Sequence, residues 1–150
     1  MKIELKNIKY AKFASQETNC YEAAIYIDGK KVGDVRNDGQ GGCDHVHPYS
    51  VQMKIDEYAA TLPEKDGFPQ DHETIFGDLF LDWLTEKDLK NLLKTNVVFT
   101  REDNIFTLKI KPATMNLTLS IAGLAERLKA TAILNLMPFA DAIKIYRSKT

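Results

Sequence analysis

The sequence has few cysteines and no long apolar run, and both absences narrow the class of protein. Two cysteines, Cys20 and Cys43, occur in 150 residues, too few for the disulfide framework of a small secreted domain. No apolar stretch approaches the roughly 18 residues that span a bilayer. Residues 1–6 alternate polar and apolar side chains and so lack the apolar region of a secretory signal. We therefore expect a cytoplasmic protein with no membrane contact.

Sequence motifs of the common enzyme classes are missing as well. There is no Gly-x-Ser-x-Gly turn for a nucleophilic serine, no phosphate-binding P-loop and no dinucleotide-binding glycine pattern. Nothing in the chain therefore favours a particular reaction, and the sequence favours a binding role over a catalytic one.

What is present is an ordinary globular composition with an uneven charge distribution. The chain is 44% hydrophobic and 27% charged, which predicts one domain over residues 1–150. Residues 56–88 carry ten acidic and two basic side chains, whereas residues 89–150 carry ten basic and four acidic ones. These segments could form two binding faces or simply a solvated surface. No run is basic enough to indicate nucleic acid as a direct partner.

The first third of the chain predicts an antiparallel meander. Residues 2–13 alternate apolar and polar side chains with one slip near Asn7, which indicates a strand with a bulge. Two further β-rich runs, 20–28 and 30–35, meet at Asp28-Gly29. Both central residues of a type I′ turn need positive φ, so this dipeptide predicts a hairpin.

The remainder predicts helices and a second hairpin. The expected elements are a helix over 51–60 capped by Ser50, helices over 73–84 and 86–94 separated by a cap at Thr85, a hairpin of 96–100 with 105–110, a strand or strand-to-helix transition over 114–121, a helix over 122–129, a short strand over 132–136 and a helix over 139–147. The predicted class is α+β: an antiparallel sheet of two hairpins plus a later strand, with helices packed on one face.

The segment from Asn37 to His47 is the most distinctive part of the sequence. Three glycines in four residues break all periodicity. The backbone could point several N–H groups at an anion, or the glycines could simply let the chain cross the sheet. Because function concentrates in such loops, we predict a ligand or partner loop. Its residues are Asn37, Asp38, Gly39, Gly41 and Gly42.

Metal ligation is an alternative interpretation of the same segment. Cys43, His45 and His47 offer thiolate and imidazole ligands within five residues, and this ligand set suits zinc. Cys20 or His72 could complete the site through folding. The usual zinc spacings are absent, so we expect no cofactor and keep zinc as the alternative.

A second candidate surface is acidic. Asp78, Asp82 and Glu86 are spaced four residues apart along a predicted helix, which aligns them on one side. They predict a partner-binding face, with a solvated helix edge as the alternative.

Several segments resemble those of small uncharacterised proteins carried by phages, prophages and plasmids. They are Phe13 to Thr18, Tyr21 to Ala23, Tyr26 to Gly33 and Asn37 to Gly42, with Leu134 to Phe139 and Ala142 near the end. The resemblance covers the first third of the chain and about the last twenty residues. It implies a bacterial host and a mobile genetic element, but no catalytic residues.

These observations support three hypotheses. The first is a non-enzymatic binding protein of a mobile element that meets a protein partner, for instance as an inhibitor of a bacterial defence complex. The second is a small-molecule, nucleotide or metal-binding protein with hydrolytic or sequestering activity centred on residues 37–47. The third is a structural component that forms a homo-oligomer.

Overall fold

A computed structural model describes all residues, 1–150, and confirms the α+β class. The chain comprises two compact units, Met1–Leu81 and Asp82–Thr150, which are described separately below. The single domain expected from the sequence stays a prediction. The two predicted hairpins lie in two different antiparallel sheets, so the expectation of one sheet is corrected.

The first unit contains a four-stranded antiparallel sheet in the order β1-β2-β3-β4. The strands are β1 (Ile3–Tyr10), β2 (Tyr21–Ile27), β3 (Lys30–Asn37) and β4 (His45–His47). The first three confirm the predicted meander, whereas β4 lies inside the segment that we expected to be a loop. Because β4 pairs with residues 34–36 of β3, it extends the sheet by one short edge strand.

The predicted turn and bulge are both present. Asp28 and Gly29 have φ values of 49° and 83°, as a type I′ hairpin requires. The β1–β2 register shifts between Lys6 and Lys9, and Asn7 there has a φ of 53°. An asparagine tolerates this left-handed conformation better than most residues. The bulge therefore explains why the apolar alternation in β1 slips by one position.

Two helices follow the sheet, and their first and last residues differ from those predicted. Helix α1 (Tyr49–Ala59) begins after Pro48, so Ser50 lies inside the helix and is not its cap. Helix α2 (His72–Thr95) is continuous where two helices were expected, and Thr85 lies within it. No glycine or proline interrupts residues 78–95. Continuing a formed helix is easier than nucleating a second one.

The second unit contains a three-stranded antiparallel sheet in the order β6-β5-β7. Its elements are β5 (Asn96–Arg101), β6 (Asn104–Lys109), α3 (Met115–Leu119), α4 (Leu124–Leu128), β7 (Ala132–Ile133) and α5 (Phe139–Lys149). The β5–β6 hairpin and the last helix confirm the predictions. Residues 115–119, expected to be a strand or a transition, are helical, and β7 gives way to a 3-10 turn over Leu134–Leu136.

Helices cover both faces of this second sheet, in contrast to the single covered face that was expected. Val98 packs with Leu89 of α2 and with Ala142 and Ile143 of α5. Val97 and Phe99, on the opposite face of β5, pack with Met115 and Leu124 in a second cluster. Consecutive strand residues point to opposite faces, so the apolar run Val97-Val98-Phe99 supplies both cores.

Asn135 joins the 3-10 turn to β5 and to the end of α2. Its side-chain oxygen accepts a hydrogen bond from the Val98 N–H at 2.7 Å, and its amide donates to the carbonyls of Leu93 and Asn96 at 3.2 and 2.9 Å. One side chain thus bonds to three backbone groups at the junction of α2 and β5. This gives the Leu134–Leu136 segment a structural role.

Candidate functional site

Asn37 closes the glycine-rich segment on itself. Its side-chain oxygen accepts hydrogen bonds from the Thr18 hydroxyl at 2.8 Å and from the Gly39 N–H at 2.9 Å. Its amide donates to the Gly42 carbonyl at 3.1 Å and to Asp44 Oδ1 at 3.0 Å. Asn37 is only 7% exposed. Burial with four partners makes it a structural hub of the loop.

Three successive N–H groups of the loop already have acceptors within the protein. The Gly39 N–H bonds to Asn37, the Gln40 N–H to the Asp38 carboxylate and the Gly41 N–H to the Thr18 hydroxyl. An anion nest needs several adjacent N–H groups free to converge on one ligand. The geometry therefore favours the structural interpretation of the loop over a phosphate site.

A carbonyl group of the loop is also hydrogen-bonded within the protein. The Gly39 carbonyl accepts hydrogen bonds from the N–H groups of Gln16, Glu17 and Thr18, at 3.0 to 3.4 Å. A Cβ at Gly39 would lie 2.3 Å from the Ala14 carbonyl oxygen, and its φ is 81°. Only glycine combines this conformation with this approach.

Asp44 anchors the end of the loop to the sheet and to helix α2. Its carboxylate accepts hydrogen bonds from Asn37 and, at 2.8 Å, from the Tyr21 hydroxyl, and its N–H donates to the Glu73 carboxylate. Burial of Tyr21, followed by the neighbouring charge of Asp44, raises the pKa of the Tyr21 phenol far above its usual value. This phenol is therefore held neutral and acts as a hydrogen-bond donor.

The three predicted metal ligands are not brought into one site. His45 and His47 alternate with Val46 on β4 and are exposed, as is Cys43. No group of three or more His, Cys, Asp or Glu side chains in residues 1–150 is arranged to hold a metal ion. The structure thus supplies no ligand set for zinc, and zinc binding stays a prediction.

His72, the remaining histidine, lies apart from β4. Its Nδ1 lies 2.8 Å from Asp56 Oδ1, its backbone N–H donates to the same oxygen, and the side chain is buried. Its Nε2 is buried without a hydrogen-bond partner. The Asp56 contact joins α1 to the start of α2, and the burial keeps the ring from reaching an external ligand.

The predicted acidic face is already paired with cations of this chain. Asp78 forms an ion pair with Lys65 in the first unit. Asp82 and Glu86 lie 3.6 and 3.0 Å from the Arg147 guanidinium in the second. Exposed ion pairs contribute little stability, but they reduce the negative charge available to a partner. A partner-binding role for these carboxylates stays a prediction.

The exposed face of the four-stranded sheet carries a candidate surface that was not predicted from the sequence. One row of side chains crosses all four strands: Lys9 pairs in register with Glu22, Glu22 with Arg36, and Arg36 with His45. The adjacent positions Asp34 and His47 are also paired in register. We call Lys9, Glu22, Asp34, Arg36, His45 and His47 the charged sheet face.

Two adjoining depressions lie over the charged sheet face. They have volumes of about 560 and about 570 Å³, and Lys9, Glu22, Arg36 and His45 line both. Asp34 and His47 line the first, and Asn37 and Asp38 line the second. Part of the predicted ligand loop therefore borders the same surface.

Arg36 is the cation of this face that has no ion pair. Lys9 lies 3.2 Å from Glu22, and Lys31 lies 3.2 Å from Asp34, so both carboxylates have lysine partners. Arg36 is exposed, and no carboxylate lies within ion-pair distance of it. A guanidinium presents five donors in a planar fork that matches a carboxylate. The face can therefore bind an anionic group at its centre.

A local signal for this surface exists in the sequence. Asp34 and Arg36 flank Val35, and His45 and His47 flank Val46, which is the alternation of a half-exposed strand. That alternation predicts which side chains share one face of a strand. It does not predict that β3 and β4 are neighbours.

Comparisons with family models, curated proteins and solved structures found no match. The resemblance to proteins of phages, prophages and plasmids therefore stays a prediction. No helix in the structure has both the length and the apolar character needed to cross a membrane.

Proposed function

We propose that this protein is a non-enzymatic binding protein that uses the charged sheet face to bind an acidic segment of a partner protein. The observation that carries the proposal is the unpaired Arg36 guanidinium at the centre of a four-strand row, with His45 beside it in register. An arginine without a partner on a structured surface is ready to pair with an external carboxylate.

The charge balance of the face supports an acidic partner. Glu22 and Asp34 are each paired with a lysine, so Arg36 is the charge that remains. Partner surfaces are generally arranged so that opposite potentials meet.

The shape of the face supports an extended segment of a protein. Small-molecule sites generally enclose most of the ligand surface, whereas these two depressions lie side by side on an exposed sheet and share four residues. A peptide crossing both could place one carboxylate at Arg36 and further groups beside His45 and Lys9.

The biological context of the proposal rests on the resemblance alone. If the chain belongs to a mobile element of a bacterial host, a surface that recognises a protein partner fits an inhibitor of a bacterial defence complex. Such an inhibitor acts by occupying its partner, and it needs no catalytic group.

The experiment is an NMR titration of the isotope-labelled protein with a short oligoglutamate peptide. Amide shifts should concentrate at Lys9, Glu22, Arg36, His45 and His47, and Arg36→Glu should remove them by reversing the only unpaired charge. Arg127→Glu is the matched control, because Arg127 is an exposed arginine on α4. Shifts elsewhere, or shifts that survive Arg36→Glu, would contradict the proposal.

Two further probes separate the alternatives. An oligolysine peptide of equal length should leave the charged sheet face unshifted, since binding depends on negative charge. A single-stranded oligonucleotide that binds more tightly than oligoglutamate would replace the acidic protein partner with a nucleic acid.

A small-molecule site is the second candidate function, and the second depression favours it. That depression has a volume within the usual range for ligand pockets, and it is lined by Asn37 and Asp38 of the predicted ligand loop and by His45 of β4. Nucleotides and inorganic phosphate, screened by thermal stabilisation, test it. A stabilising ligand whose effect is lost in His45→Ala but kept in His47→Ala would favour this candidate, because His47 does not line that depression.

A further inference from the structure

Strand β6 is a free edge of the second sheet. The strand order β6-β5-β7 leaves one side of β6 without a neighbouring strand, and every residue of β6 except Ile105 is exposed. Free edges present unpaired N–H and C=O groups, so they can pair with another strand.

The hydrogen bonds around β5 show which groups of β6 point outward. The N–H of Ile110 donates to Thr95. Val98 and Thr100 use their backbone groups on the side of β5 away from β6, through Asn135 and Thr131. Residue pairs in an antiparallel sheet alternate between those that bond to each other and those that do not. Val98 and Thr100 therefore belong to unbonded pairs with β6, and the β6 residues opposite them point their N–H and C=O groups to the free edge.

Those outward-facing residues are three alternate positions of β6. Thr107 is opposite Val98, Ile105 is opposite Thr100, and Lys109 follows in the same phase opposite Asn96. None of their N–H groups is bonded to a turn, loop or side chain of the chain. Residues 105, 107 and 109 thus form a ladder that is ready to accept a further strand.

Two copies of this ladder can pair with each other. If a second copy pairs antiparallel with a two-fold axis at Thr107, Thr107 faces Thr107 of the partner subunit and Ile105 faces Lys109 of the partner subunit. All three outward positions then form bonded pairs. No like charges meet, since Lys109 faces an isoleucine.

Side chains beside the ladder fit the same register. Phe106 and Leu108 lie on one face of the sheet and are 40% and 42% exposed, and the axis at Thr107 places Phe106 opposite Leu108 of the partner subunit. Beyond the strand, the turn residue Asp103, which forms an ion pair with Lys149 of its own chain at 3.2 Å, lies on the side of Lys111 of the partner subunit. Aromatic–aliphatic and opposite-charge pairs are the cross-strand contacts that stabilise sheets.

We propose that the protein forms a symmetric dimer through β6, joining the three-stranded sheets of two copies into one six-stranded sheet. The self-matching register, the exposed Phe106–Leu108 pair that it forms and the absence of facing like charges identify the occupant as a second copy. A single strand pair buries a small area, so the dimer is a weak one that depends on protein concentration. This inference concerns the second unit and does not rest on the charged sheet face.

The first test measures amide hydrogen exchange of the unaltered protein at low and high concentration. Exchange at Ile105, Thr107 and Lys109 should slow as concentration rises, because these N–H groups become bonded across the axis. Exchange at Phe106 and Leu108, whose groups bond to β5, should not change. Concentration-independent exchange at Thr107 would overturn the proposal without requiring any variant to fold.

The second test uses complementary charges at the axis. Thr107 is exposed, so Thr107→Lys and Thr107→Glu each place two like charges face to face in a dimer. Each variant alone should dimerise about tenfold more weakly in analytical ultracentrifugation, and an equimolar mixture should regain dimer. Unaltered dimerisation of either single variant, or a mixture that stays monomeric, would show that β6 is not the interface.

Discussion

The hydrogen bonds of Asn37 can be tested by replacing its side-chain nitrogen with oxygen. Asn37→Asp keeps the side-chain oxygen that accepts from Thr18 and Gly39. It replaces the amide that donates to Gly42 and Asp44. The new oxygen would face a carbonyl at 3.1 Å and a carboxylate at 3.0 Å. Shape is thus conserved while two attractive contacts become repulsive.

The expected cost follows from these two contacts. A neutral hydrogen bond contributes about 0.5–1.5 kcal/mol and one to a charged group about 1.5–3 kcal/mol. Losing both lowers the free energy of unfolding by about 2–4.5 kcal/mol, and the repulsion between the introduced carboxylate and the half-buried Asp44 carboxylate adds to it. The adjacent carboxylate raises the pKa of the introduced group in the folded state. The penalty is therefore full at neutral pH and shrinks as the pH falls through that raised pKa.

Urea denaturation at neutral and acidic pH, followed by circular dichroism, measures this effect. Asn19→Asp is the matched control, because Asn19 is exposed and the same charge is added there. If Asn37→Asp destabilised no more than the control, or if its penalty did not depend on pH, Asn37 would not be the hub of the loop.

Three further changes test the fold around the candidate surfaces. Gly39→Ala should destabilise the protein by about 2 kcal/mol or more in urea, because a Cβ meets the Ala14 carbonyl at a positive φ; a change below about 0.5 kcal/mol would mean that the loop adjusts. Asn135→Ala removes three hydrogen bonds to backbone groups and should cost about 2–4 kcal/mol, with faster amide exchange at Val98 as a local readout. The raised pKa of Tyr21 stabilises the folded state below the ordinary tyrosine pKa of about 10, and this stability falls by about 1.4 kcal/mol per pH unit above it. Tyr21→Phe should therefore lose stability less steeply at alkaline pH than the unaltered protein, whereas Tyr49→Phe, at an exposed tyrosine, should behave like the unaltered protein.

Local sequence patterns predicted much of the fold because the forces behind them are local. Asp28-Gly29 specifies its turn through positive φ, and the slip in β1 records the bulge at Asn7. The error at Thr85 has a local cause too, since a residue that can cap a helix is also tolerated inside one. The division of the strands between two sheets could not be predicted, because strand pairing depends on contacts between residues distant in sequence.

The candidate site was predicted less well, and the chemistry of burial explains why. The loop around Asn37 is rich in Gly, Asn and Asp because its polar groups bond to one another. The Asn37 side chain bonds to the Thr18 hydroxyl, the Gly39 N–H and the Gly42 carbonyl, and buried polar groups require such partners. The unusual composition of the loop therefore reflects the hydrogen bonds that the loop makes within the chain, and it does not indicate a ligand.

The charged sheet face, in contrast, consists of residue types that are common on any protein surface. Arg36 and His45 become neighbours only because the loop between them closes at Asn37 and returns the chain as β4. The residues that stand out in the sequence thus build the scaffold, and ordinary residues that the scaffold brings together form the surface. For this chain, a search for function is better directed at the register of β3 and β4 than at the glycines between them.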